Sequence, residues 1–128
     1  MELDYIENTN ELGESIVRLY NFNDVEALKF KDLIKDNIVT KHQKLDLSQI
    51  DFITNRNCNL ILGLFKTDEG IISNDNKTFY CALTLETYYV MLNTLELFIK
   101  NGTKKHEYLY DIDNPIEFLF SPEGTRLV

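Results

Sequence analysis

Glycine is scarce in this chain: five residues, at positions 13, 63, 70, 102 and 124, never clustered. A dinucleotide fingerprint or a phosphate-cradling loop needs grouped glycines to bring backbone N–H groups onto phosphate, so neither can be built. Proline occurs twice and tryptophan not at all. With so few breakers, no long linker or disordered tail is expected. The two cysteines, Cys58 and Cys81, are too few for a disulfide framework and read as buried free thiols of a protein in a reducing cytoplasm. The longest apolar stretch, Leu60–Phe65 with Gly63 inside it, is far shorter than the ~18 residues a membrane span requires. Met1-Glu2-Leu3-Asp4 has neither the basic start nor the apolar run of a secretory leader.

Positive charge is also in short supply. Thirteen Lys and Arg face 21 Asp and Glu, for a net charge of −8. The imbalance is concentrated at the chain ends: residues 1–24 hold six acids and one base, residues 106–128 hold five acids and one base, and the middle is near neutral. Nucleic acid and anionic membranes both require a basic patch and are disfavoured as partners. A basic protein is the partner this balance suits.

What the sequence does supply is a foldable core. At 44% hydrophobic residues, with 7 Tyr and 8 Phe, the 128 residues suffice for one domain, with residues 1–13 the part expected to be loosely ordered. Leu83–Gly102 carries both helix ends: Thr84 as N-cap, Glu86 near the positive end of the dipole, Lys100 near the negative end, Gly102 as the left-handed stop. Leu85, Tyr88, Tyr89, Leu92, Leu95 and Ile99 recur at helical spacing. An earlier helix starts at Asn23 or Asp24, with Glu26 completing a capping box. Its expected apolar face is Val25, Ala27, Leu28, Phe30, Leu33, Ile34 and Ile38, and its wet side Lys29, Asp32, Lys35 and Asp36.

Around these helices the period changes to two. Ser15–Tyr20 puts Val17 and Leu19 on one face and Ile16, Arg18 and Tyr20 on the other. Leu45–Phe52 alternates with a parity slip near Ser48-Gln49, which predicts a break there. Leu60–Phe65 is apolar on both faces, as a central strand is. Phe79–Leu83, His106–Asp111 and Ile116–Phe120 complete the set, with His106, Tyr108 and Tyr110 expected on one face. Strands joined by tight turns imply an α+β fold with two helices packed on one face of a largely antiparallel five- to seven-stranded sheet.

Chemistry is hard to place on this frame. Cys58, Cys81 and His106 stand too far apart in sequence for zinc-ligand spacing, and no C-x-x-C or H-x-x-x-H occurs. Asp111-Ile112-Asp113-Asn114-Pro115 begins like a calcium loop, but Pro115 replaces a ligand and the required glycine is missing. No metal or other cofactor is expected. The reading is therefore an acidic, non-catalytic binding protein that occupies a surface of a basic protein, in its most concrete version an immunity or antidote protein against a toxin enzyme. Glu107, Tyr108, Tyr110, Asp111, Asp113 and Glu117 are its expected contact residues, with the tyrosines as anchors. The alternative is a small enzyme or ligand-binding domain with a pocket between helix and sheet, where His106, Tyr88, Tyr89 and Asp111 converge. Homodimerisation through a strand edge is compatible with either.

Overall fold

Two capped helices and nine strands make up the described part of this α+β domain. The computed structural model describes residues 1–7, 14–102, 106–110 and 116–123. The strands are β1 (Glu2–Ile6), β2 (Ser15–Tyr20), β3 (Leu45–Asp46), β4 (Thr54–Asn55), β5 (Asn59–Leu64), β6 (Gly70–Ile72), β7 (Thr78–Leu83), β8 (Glu107–Tyr110) and β9 (Ile116–Ser121). Helix α1 spans Asp24–Leu33 and α2 spans Leu85–Asn101.

Both helix starts follow the capping chemistry read above. Asn23 accepts from the Glu26 amide at 2.9 Å while Glu26 accepts from the Asn23 amide at 3.1 Å, a closed capping box. Helix α1 runs on without a break into a wider π-helical segment, Ile34–Thr40, which ends with the Lys41 amide on the Asp36 carbonyl. Ala27, Phe30, Ile34 and Ile38 form its buried stripe. That spacing turns Val25 and Leu28, expected in the core, outward to 61% and 44% exposure. In α2, Thr84 accepts from the Thr87 amide, Gly102 closes the helix at φ +60°, and Tyr88, Met91, Leu92, Leu95 and Phe98 are buried. Tyr89 points away and is 54% exposed.

The strands form two mixed sheets, not one largely antiparallel sheet: a five-stranded sheet β4-β1-β2-β9-β8 and a four-stranded sheet β3-β5-β7-β6. Glu2–Ile6, expected to be loose, is a full strand that pairs with β2. Strand β9 returns to lie parallel to β2, with Val17 opposite Phe118 and Leu19 opposite Phe120. In the smaller sheet β7 slots between β5 and β6, parallel to the first and antiparallel to the second. The physical reason is reach. Residues 65–69 connect β5 to β6, and five residues at ~3.3 Å each easily span the two strand spacings of ~4.8 Å needed to leave a slot open. The break foreseen at Ser48-Gln49 is a single 3-10 turn, Leu47–Gln49, capped by Asp46.

One core fills the space between the sheets and helices. Leu3, Val17, Leu19, Phe118 and Phe120 contribute from the larger sheet, Leu60, Leu62, Ile71, Phe79 and Cys81 from the smaller. Phe120 is the hub: the rings of Phe22, Phe98 and Phe30 lie 4.0, 5.2 and 5.9 Å from it. Tyr5 meets Phe79 at 4.6 Å and joins the two sheets.

Candidate functional site

The terminal segments do come together, because β1, β2, β9 and β8 are neighbours in one sheet. Register places Asp4, Arg18, Leu119 and Tyr108 in one row across its outer face, with Glu2, Tyr20 and Ser121 in the next. The carboxylates there are matched within the molecule. Arg18 donates to both oxygens of Asp4, at 2.7 and 2.9 Å, and its guanidinium stacks 3.9 Å over Tyr20. Glu2 accepts from Asn21 and from Arg56, both at 2.6 Å. The hydrogen bonds from Asn21 and Arg56 hold the Glu2 carboxyl below the usual range, and the bond to Asp4 raises Arg18.

The residues singled out from sequence are distributed unevenly around this sheet. Glu107 is exposed, while Tyr108 and Glu117 are half-buried. Tyr110 is only 7% exposed and belongs to the core. A register shift between Tyr108 and Tyr110 sets Tyr108 opposite Leu119 and Tyr110 opposite Phe118, so the two rings face opposite sides rather than one. Asp111 and Asp113 lie outside the described residues.

A different surface gathers three exposed carboxylates, of which Asp32 lies 3.8 Å from Lys31 Nζ. Lys29, Asp32, Leu33 and Asp36 form one face of α1 and its continuation, at i, i+3, i+4 and i+7. Gln49, Ile50, Asp51 and Phe52, which follow the 3-10 turn, face them across an open cleft of about 570 Å³. Three carboxylates thus surround an apolar floor of Leu33, Ile50 and Phe52, with Lys29 Nζ 5.7 Å from the Phe52 ring centre. By spacing alone Lys29, Asp32 and Asp36 belong to the wet side of the helix and Leu33 to its apolar face, while Ile50 and Phe52 alternate with Asp51. Nothing in the spacing ties residue 32 to residue 51; the fold alone does so.

Among the described residues the nucleophiles and candidate bases do not converge. Burial pushes the Cys58 and Cys81 thiols up to about 12, where neither is a useful nucleophile. Tyr88 is fully buried: its hydroxyl donates to the Cys81 carbonyl at 2.5 Å and accepts from the Gly63 amide at 3.0 Å. Burial raises its phenol far above the ordinary value. Tyr89 points outward from the same helix, and His106 is exposed, edge-on to Tyr108 at 5.8 Å. Among the described residues no group of His, Cys, Asp or Glu is placed to hold a metal ion, and no helix is long and apolar enough to cross a membrane. Neither the protein-family models nor the curated proteins give a match to this chain. Geometry is what remains to argue from.

Proposed function

We propose that this protein is a non-catalytic binding module that occupies a basic surface of a partner protein. Blocking a toxin enzyme, as an antidote does, is the version its charge suits. The observation that carries the reading is the cleft between α1 and residues 49–52, where Asp32, Asp36 and Asp51 ring an apolar floor. Such a site suits the side chain of an arginine or lysine, whose stem lies on apolar surface while its head meets carboxylates. A net charge of −8 would steer a basic partner toward it and speed the encounter at low salt. Tyr108 and Glu117 would extend the contact only if the partner also reached the outer face of the larger sheet, and Glu107 only if it reached the inward side of the β8 edge.

The test is co-purification from the native cell at two ionic strengths, with wild type beside a D32K/D36K/D51K variant. These three side chains are exposed, so the variant is expected to fold. A basic protein retained by wild type at low salt, released at high salt and missed by the variant supports the reading. Absence of any retained protein, or equal retention by the variant, overturns it.

A further inference from the structure

The outer face of the four-stranded sheet is apolar, and it is shaped in two parallel rows. Pairing aligns Asp46, Ile61, Tyr80 and Ile72 across β3, β5, β7 and β6 as a ridge. One step along the strands, Gly63, Ala82 and Gly70 align as a trough. Lys44 ends the trough: a Cβ placed on Gly63 would sit 3.5 Å from Lys44 Cγ, so the lysine stem lies on this same face. Phe65 forms the far wall. The resulting depression is about 370 Å³, and Phe65, Tyr80 and Ile72 beside it are 57%, 42% and 42% exposed. Large apolar side chains grouped this way mark an interaction surface.

We infer that this face pairs with the same face of a second copy of the chain, each ridge seated in the other's trough. Rows two residues apart are separated by ~6.6 Å along the strands. A two-fold axis lying across the strands, midway between the rows, exchanges ridge and trough. The same operation sets Asp46, at the end of the ridge, opposite Lys44 of the second copy, at the end of the trough. The face therefore complements itself in shape and in charge, as an isologous dimer contact must. Asp46 is prepared for this role: Ser48 and Asn59 donate to its Oδ1, which leaves Oδ2 for the incoming ammonium. With two residues in β3, six in β5, three in β6 and six in β7, at ~4.8 Å by ~3.3 Å each, the sheet face offers roughly 270 Å² per copy before side-chain relief. That is small for a permanent dimer and fits a weak, concentration-dependent one.

Sedimentation of the full chain from about 1 μM to about 1 mM tests the pairing directly. The mass is expected to rise from 15.0 kDa toward twice that value. Ile72→Lys and Lys44→Glu, both at exposed positions, are expected to weaken association at least tenfold, whereas Val90→Lys on α2 leaves it unchanged. Combining Lys44→Glu with Asp46→Lys restores it if the charge pair is as described. Circular dichroism checks that each variant folds. A wild type that stays monomeric throughout assigns the face to some other partner and overturns the inference. So does a dimer indifferent to Ile72→Lys.

Discussion

The two sheets solve the problem of their outer faces differently. On the larger one, every acid of β1 that faces outward meets a cation: Asp4 meets Arg18 and Glu2 meets Arg56. On the smaller one, Ile61, Tyr80 and Ile72 stand in a row, and Tyr80 and Ile72 are each 42% exposed. A polar face with internal partners is complete in water, because its charges are already compensated. An apolar face is not, since each exposed side chain retains burial free energy that only a second surface can release. The contrast shows that acid content alone does not tell which carboxylates are already paired inside the molecule. Glu2 and Asp4 contribute to the net charge but are committed within the molecule.

The largest expected effect lies beneath the apolar face. Tyr88→Phe removes the hydroxyl that links the Gly63 amide to the Cys81 carbonyl, and is expected to lower stability by about 1–3 kcal/mol, read as a reduced urea midpoint at constant slope. A midpoint equal to wild type would mean that β5 and β7 pair as well without it. On the polar face a double-mutant cycle with Asp4→Asn and Arg18→Gln should give a coupling of about 1–2 kcal/mol, since the pair is two-pronged and half-buried, with self-association unaltered. Coupling of several kcal/mol would show that this face, not the core, holds the sheet together. The smallest effect is in pH. Glu2 binds its proton less tightly folded than unfolded, so its contribution is complete above its ordinary value of 4.5 and is lost as pH falls through the lower folded value. The Glu2→Gln variant should show a shallower loss of urea midpoint between neutral pH and pH 3 than wild type. Identical slopes would remove Glu2 from the account.

Local chemistry was legible in the sequence where it is decided locally. The Asn23–Glu26 capping box, the Thr84 and Gly102 helix ends and the break after Leu47 each depend on residues within a few positions of one another, and each is present. So is the inward pairing of Val17 with Leu19. Sheet order was not legible, because alternation fixes which way a side chain points but not which strand lies alongside. The parallel placement of β9 against β2 goes with burial of Phe120 against Phe30 of α1 and Phe98 of α2, a long-range constraint. A single bulge was enough to move Tyr110 from the expected surface into the core. The acidic cleft stayed hidden for a related reason: Asp36 and Asp51 belong to segments whose meeting is decided by packing.

The pairing of Val17 with Phe118 has a consequence for how the protein is made. While the ribosome is still producing the middle of the chain, the β1–β2 hairpin has Leu3, Val17 and Leu19 ready for burial but no β9 to lie beside. Closure of the larger sheet waits until synthesis has passed Ser121, and contacts of such long sequence separation form slowly. During synthesis the hairpin edge is open to pairing with another nascent copy.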